Sequence, residues 1–284
     1  MTAGQPADLV IETDGLTKRY GDVVALDALT LRIPRGGVFG FLGPNGSGKT
    51  TTMGMLLGLV RPTSGEARIL GGQAGQPETL RRIGALVETP TFYPYLSGRA
   101  NLRYFQGIGA RGTSEEIDRL LELVDLGKRA RSKYATYSLG MKQRLGVACA
   151  LLGDPELVFL DEPTTGFDPA ARRTAWGAVR ALRDLGKTVL LTTHYLDEAN
   201  ALSDRVAIVK DGRIVAEGPP GDLHGNSRYR VAYDVAGRRV EHETDDPTDL
   251  LNRLTSDAIA RGERLEGLTV TRPTLEDVYL ELTE

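Results

Sequence analysis

The period of apolar and polar positions changes along the chain, and the changes mark its elements. Short apolar runs bounded by turn residues predict strands in the first part: LVIET from Leu9, VVALDALTLRI from Val23, VFGFLG from Val38 and ARILG from Ala67. Helices interrupt from PETLRRIG, residues 77–84, onward. Between about residues 97 and 153, ANLRYFQGI, SEEIDRLLELVDL and LGMKQRLGVACALL each carry apolar residues at helical spacing. Ser114, ahead of Glu116 and Ile117, is the expected cap of the second. Strand and helix then alternate through ELVFLDEP, a helix over residues 169–185, KTVLLTTH, the short helix LDEANALS and the pair RVAIVKDGRIVAEG. In that pair Asp211-Gly212 lies between two apolar runs and signals a hairpin. Such alternation implies a mostly parallel sheet whose ligands collect at the carboxyl ends of its strands. Gly218-Pro219-Pro220-Gly221 punctuates the chain. Beyond it RYRVAYDV, RRVEHETD, a helix near Leu250 and RPTLEDVYLELT predict a small α+β appendage over residues 222–284.

The same pattern locates a first chemical site. The run VFGFLG passes through GPNGSGKTT into the helical KTTTMGMLLGL, so Gly43, Pro44, Asn45, Gly46, Ser47, Gly48, Lys49, Thr50 and Thr51 form a glycine-rich turn from strand to helix. In that context the N–H groups of Gly46, Ser47, Gly48, Lys49 and Thr50 converge on an anion, Lys49 reaches the β- and γ-phosphates of a nucleotide, and Thr50 offers its hydroxyl to Mg2+. A chance match would not require the flanking strand and helix.

Composition bounds the class. With 284 residues, 40% of them hydrophobic, the chain can bury a full core in one or two domains. A net charge of −3 and a pI near 5.8 leave no electrostatic footprint for nucleic acid or anionic lipid. The opening MTAGQPAD lacks the basic and apolar parts of a signal peptide, and no apolar run approaches the roughly 18 residues of a membrane span. A soluble protein kept in the cytosol is therefore expected. The single cysteine, Cys149, has no internal disulfide partner and is expected as a small buried hydrophobe.

Three further stretches follow in order: YSLGMKQR, VFLDEPTTGFDP and LTTH. VFLDEP is an apolar strand ending in two carboxylates, which places Asp161 to hold Mg2+ through water and Glu162 to polarise an attacking water. Without the phosphate loop the pair would read as a polar turn. Ser138 and Gly140 begin a helix whose unpaired N–H groups suit an anion, although an ordinary cap has the same appearance.

Taken in order, these motifs resemble the nucleotide-binding subunit of ATP-binding cassette (ABC) transporters over roughly residues 9–218, with a helical subdomain at about 97–153. LEDVYLELT resembles, over a much shorter stretch, the C-terminal extension of bacterial drug- and antibiotic-export ATPases of the bacitracin and daunorubicin type. The resemblance implies an α/β P-loop NTPase (RecA-like) core with a mainly parallel sheet, an N-terminal antiparallel β part, an inserted helical subdomain and a small α+β C-terminal extension. It further implies that Tyr20 stacks on adenine and that His194 contacts the γ-phosphate and water. Ser138 and Gly140 would meet the γ-phosphate held by a second copy, with Asp168 of GFDP at the same junction. One chain carries one loop and one signature, so two copies, head to tail around ATP, are needed for complete sites. The signature departs from the usual pattern, with Tyr137 for leucine, Leu139 for the first glycine and Met141 for glutamine, while Gly140 is kept. Glu88 stands where glutamine is usual; a carboxylate can also bind Mg2+ but adds negative charge beside the γ-phosphate.

The implied function is ATP hydrolysis that drives a separately encoded membrane permease, exporting a drug, antibiotic or other amphiphile, with the subunit held at the inner face of the cell membrane. Phe92, Tyr93 and Tyr95 would either fill a seam between subdomains or receive a short helix of that permease. Trp176 is expected to be structural. A soluble cassette ATPase acting on ribosome or DNA would share the motor but carry two cassettes or a long coiled-coil insertion. A P-loop kinase of a small metabolite would need no signature helix, and a purely structural protein conflicts with Lys49, Asp161 and Glu162.

Overall fold

The computed structural model describes residues 8–87, 91–109, 112–223, 228–235, 237–271 and 275–283. Contacts divide the chain into two compact units, Met1–Pro219 and Pro220–Glu284. The first unit opens with two long strands, Leu9–Tyr20 (β1) and Val23–Pro34 (β2), paired antiparallel. Gly37–Leu42 (β3) leads through the glycine loop into the helix Lys49–Leu56 (α1), followed by Ser64–Ile69 (β4) and Gly72–Gln73 (β5). A single turn of helix, Pro77–Leu80 (α2), precedes Ile83–Leu86 (β6). The helical stretch holds Gly98–Gly109 (α3), Ser114–Leu123 (α4) and Leu139–Ala150 (α5), with two short 3-10 turns between the last two. Leu157–Asp161 (β7), Pro169–Asp184 (α6), Thr188–Thr193 (β8), Leu196–Leu202 (α7), Arg205–Lys210 (β9) and Arg213–Gly218 (β10) complete the unit.

An unbroken apolar run is what a strand needs when both its faces are covered. β3, β7 and β8 meet that condition, and alternate residues go to opposite sides. Phe39, Phe41, Phe159 and Leu190 join a core with β1, β2, β4 and α1, whereas Val38, Val158, Leu160, Val189 and Leu191 join a second core with α3 to α7. The strands form a six-stranded sheet in the order β10-β9-β3-β8-β7-β6, parallel except for the β9–β10 hairpin, and β2-β1-β4-β5 form a separate antiparallel sheet. The hairpin turns at Asp211 and Gly212, with φ of 49° and 76°, the left-handed pair that a two-residue turn requires. β3, β7 and β8 all end at one edge, and that edge carries the chemistry. Cys149 is half-buried against the helical core, and burial pushes its thiol up to about 12.

Two local expectations are corrected. PETLRRIG is helical only over Pro77–Leu80; Ile83–Leu86 is a strand, because parallel pairing with β7 buries Ile83 and Leu86 and outweighs local helical spacing. The cap of α4 is Thr113, not Ser114. Thr113 Oγ1 accepts the Glu116 N–H at 3.3 Å and Glu116 Oε2 accepts the Thr113 N–H at 3.2 Å, a reciprocal pair that Ser114, with Ile117 three residues on, could not make.

The second unit is a three-stranded antiparallel sheet, Tyr229–Val235 (β11), Arg238–Thr244 (β12) and Glu266–Thr271 (β13) in the order β12-β11-β13, with helices Pro247–Arg261 (α8) and Leu275–Thr283 (α9). α8 starts where Asp246 accepts the N–H groups of Thr248 and Asp249, has Pro247 in its first turn and stops at Gly262 with φ 68°. β13 was not anticipated from the sequence, since every residue in it is exposed and only pairing with β11 defines it.

Candidate functional site

The loop from Gly43 to Gly48 joins β3 to α1. Gly48 has φ 105°, and a Cβ there would come within 2.6 Å of the Ala25 carbonyl, so both conformation and close approach require glycine. Ser47, whose N–H was expected on the phosphate, donates it to the Pro44 carbonyl at 3.2 Å, and its own carbonyl accepts the Gly212 N–H at 3.1 Å. Lys49 is 4% exposed and folds back, donating to the carbonyls of Gly43 at 2.8 Å and Pro44 at 3.1 Å and pairing with Glu162 Oε1 at 3.4 Å. The loop borders a cavity of about 580 Å³ whose lining includes Asn45, Gly46, Thr51, Asp161, Glu162 and Gln143.

Asp161 ends β7 at 7% exposure, where its carboxylate accepts from Thr50 Oγ1 at 3.0 Å and from the Thr192 hydroxyl. Asp161 and Thr192 are register partners across β7 and β8, so the contact follows from the sheet. Glu162 has φ 45°, uncommon for a side chain of its size. Its N–H is held by Thr192, by the carbonyl at 3.1 Å and by the hydroxyl at 3.0 Å. Its carboxylate accepts from Thr165 Oγ1 at 2.9 Å and lies 3.1 Å from His194 Nδ1. Burial pushes the Glu162 carboxyl up, but the Thr165 hydroxyl, His194 and the Lys49 ammonium together outweigh it and hold the group below the usual carboxylate range. Glu162 is therefore an anionic acceptor at neutral pH, suited to orienting a water.

The donor set fits the groups its motifs imply. A hydroxyl and a carboxylate oxygen 3.0 Å apart are hard ligands of the kind Mg2+ takes, and the buried Ser47 Oγ has no hydrogen-bond partner among the described residues. The Lys49 ammonium beside a loop with glycines in the left-handed region suits a polyphosphate.

Other residues singled out by sequence lie apart from the cavity. Tyr20 is exposed at the end of β1, with Lys18 Nζ 4.8 Å from its ring centroid; Ala25 of β2 lines the cavity instead. Ser138 caps α5, accepting the Met141 N–H at 3.3 Å, and Asp168 accepts the Ala171 N–H at 2.8 Å where α6 begins. At Gly140 a Cβ would meet ring carbons of Phe167 at 3.7–3.8 Å, an ordinary contact, so nothing among the described residues demands glycine. Glu88 lies outside the described residues. The aromatic group divides. Phe92 is buried edge-on against Phe105 and Tyr134, at 5.3 Å each, whereas Tyr95 is 66% exposed and Tyr93 shares a 3.0 Å hydroxyl contact with Tyr104. Trp176 is buried and donates its Nε1–H to Glu198 at 3.1 Å.

Thr165, Thr192 and Gln143 were missed by sequence reasoning, and Leu139 was noted only as a departure from the usual signature. Thr165 and Thr192 lie inside the stretches already read, TTGFDP and LTTH, but their importance depends on strand register and on the turn after Glu162.

Comparison with known families matches residues 26–165 to the ABC transporter family. A daunorubicin resistance ATP-binding protein of Streptomyces coeruleorubidus is 40% identical, covering 98% of this chain and 96% of that protein. A bacitracin transport ATP-binding protein of Bacillus licheniformis is 40% identical over 80% of this chain and 75% of its own length. Among solved structures, an ATP-binding subunit of an ABC transporter aligns with a TM-score of 0.69 at 28% identity, covering 97% of this chain and 100% of that one. A dimeric ATP-binding cassette in a post-hydrolysis state, bound to ADP and Pi, aligns with a TM-score of 0.66 at 25% identity over 74% of this chain and 98% of its own.

Proposed function

The chain belongs to the ABC transporter family as an ATP-binding, ATP-hydrolysing subunit, and from that premise we propose that it closes with a second copy around ATP to drive a separate membrane permease. The cargo we infer is a drug, antibiotic or other amphiphile, on the strength of the relatives named for daunorubicin resistance and bacitracin transport. Among the described residues no helix is long and apolar enough to cross a membrane, so passage would belong to the partner.

The observation that carries the reading is the Glu162 carboxylate held between Thr165, His194 and Lys49, beside Thr50 and Asp161. Lys49 pairs with Glu162 Oε1 and donates to two loop carbonyls. A triphosphate competes for that ammonium, and its arrival releases Glu162 Oε1 to accept from water. His194, already on the other oxygen of the same carboxylate, then aligns that water and the γ-phosphate oxygens. Thr50 and Asp161 would hold Mg2+, with Glu88 as a further carboxylate of that set. Bound there, the ion would offset negative charge on the phosphates. Tyr20 is exposed and available to stack on adenine.

The second copy supplies what one chain does not bring to its own cavity. Ser138 and Gly140 stand at the N-terminus of α5, and among the described residues glycine at 140 has no steric reason. A phosphate approaching from the partner's loop provides one. Asp168 would lie at the same seam.

Glu162→Gln tests the core of this. The variant should bind ATP, hydrolyse it at least about 100-fold more slowly, and accumulate as a nucleotide-bound dimer in size-exclusion chromatography. Hydrolysis at the wild-type rate would remove Glu162 from its role. Purification from membranes with identification of the accompanying polypeptide tests the permease, and Tyr93→Ala with Tyr95→Ala should uncouple transport while leaving basal ATPase intact.

A further inference from the structure

A second set of contacts reaches His194 from behind. His194 ends β8, and the next residue, Tyr195, lays its ring against the imidazole with centroids 4.1 Å apart and planes tilted by 40°. Arg172 of α6 lies over the same phenol, its guanidinium carbon 3.8 Å from the ring centroid. Asp197 holds the same guanidinium at 3.1 and 3.3 Å. One turn further along α6, Trp176 donates to Glu198 at 3.1 Å, and the same Glu198 oxygen accepts from Thr164 Oγ1 at 2.8 Å. Glu198 is fully buried. Thus α6 is fastened to the segment after β8 at two levels, and the fastening also takes in the turn that follows Glu162.

We propose that Arg172 and Tyr195 are positioning residues for hydrolysis: the guanidinium pins the phenol, and the phenol fixes the plane in which the His194 imidazole meets Glu162. An imidazole on an sp3–sp2 torsion has a broad rotational well, and its one contact with Glu162 through Nδ1 does not define the ring plane. A second ring packed against it, with centroids 4.1 Å apart, does. Planarity matters at Tyr195, because a guanidinium can stack on an aromatic ring where an ammonium offers only a point charge. Asp197 keeps the guanidinium in that plane. Glu198, by tying Trp176 and Thr164 together, holds α6 in the register that brings Arg172 over Tyr195. The proposal rests on the reading that Glu162 and His194 act on the attacking water.

The test compares Arg172→Ala, Tyr195→Leu and Tyr195→Phe in the full chain with Mg2+ and ATP. The first two should lower kcat about 10-fold with KM for ATP within about two-fold, and Tyr195→Phe, which keeps the ring, should stay near wild type. Combining Arg172→Ala with Tyr195→Leu should cost no more than the worse single change, because the two act as one unit. The second readout needs no activity. The chain has three histidines, and the His194 imidazole C–H resonance, displaced by the Tyr195 ring current, should move in Arg172→Ala and Tyr195→Leu but hold in Tyr195→Phe. An unmoved resonance in Arg172→Ala, a Tyr195→Phe as slow as Tyr195→Leu, or kcat and KM failing together would overturn the proposal. His194→Ala separates the two levels: if it is slow while Arg172→Ala is normal, the positioning role alone is lost. If His194→Ala is itself normal, the parent reading of His194 fails and this proposal with it.

Discussion

At Thr192 one hydroxyl donates to the Asp161 carboxylate and accepts the Glu162 N–H at 3.0 Å, in a place where Asp161 is almost wholly buried. Thr192→Val removes that oxygen at nearly constant volume and leaves a buried carboxylate short of a donor. The nucleotide-free protein should lose about 2 kcal/mol by urea denaturation, and Thr192→Ser should recover most of it. Equal stability of all three would show that the hydroxyl is not needed. Lys49, Thr50, Asp161 and Glu162 at the cavity, and His194 behind Glu162, were legible because each ends an apolar strand or follows the glycine turn, where strand polarity already says which edge it occupies. Thr192 was not, since its partner lies on the neighbouring strand and only the register of β7 against β8 pairs it with Asp161. The Lys49–Glu162 pair was equally hidden: the motifs direct both residues to a nucleotide, and only the fold shows the ammonium 3.4 Å from the carboxylate.

Among elements, the start of α4 separates two adjacent hydroxyl residues: Ser114 was expected as the cap, although the spacing from Thr113 to Glu116 already carries the capping-box signature. Thr113→Ala breaks the reciprocal cap and should cost about 1 kcal/mol, whereas Ser114→Ala, inside the first turn, should change stability by less than about 0.5 kcal/mol. Thermal melting of the two variants distinguishes them, and equal losses would place the cap elsewhere. The strand β6 was misread for a related reason, as a four-residue strand carries too little pattern and is defined by the neighbour it pairs with. Just before β7, Glu156 joins elements far apart in sequence by accepting from Arg82 Nη2 at 2.9 Å and Arg35 Nη1 at 3.0 Å. The Arg82 hydrogen bond first, against some desolvation, and then Arg35 hold its carboxyl at about 2. The folded value lies below the unfolded value of about 4.3, so the pairing stabilises fully above that pH and is lost as pH falls through the folded value. Glu156→Gln should therefore lower Tm at pH 7 by no more than about 2 °C, since the side chain is over a third exposed, and the two proteins should converge towards pH 2. A gap that persists at pH 2 would mean packing, not charge, is at stake.

On the scale of the whole molecule, both apolar cores close before Pro219, and the second unit has its own sheet. A chain ended at residue 219 should fold and bind ATP, and loss of binding would make the second unit part of the nucleotide site. Whether one copy suffices is a separate matter, and two inactive variants decide it. Lys49→Ala disables the loop and Ser138→Arg obstructs the signature, so each alone should be silent. In an equal mixture half of the dimers are mixed, and each mixed dimer pairs one sound loop with one sound signature. Activity should return to at most about a quarter of wild type and should rise more steeply than linearly with total protein when dilute. Leu139 and Gln143 line the cavity of their own chain, which is the arrangement a self-sufficient site would use. A mixture as silent as its parts, at concentrations where the wild type dimerises with ATP, would mean those two residues, and not a partner's Ser138 and Gly140, close the site.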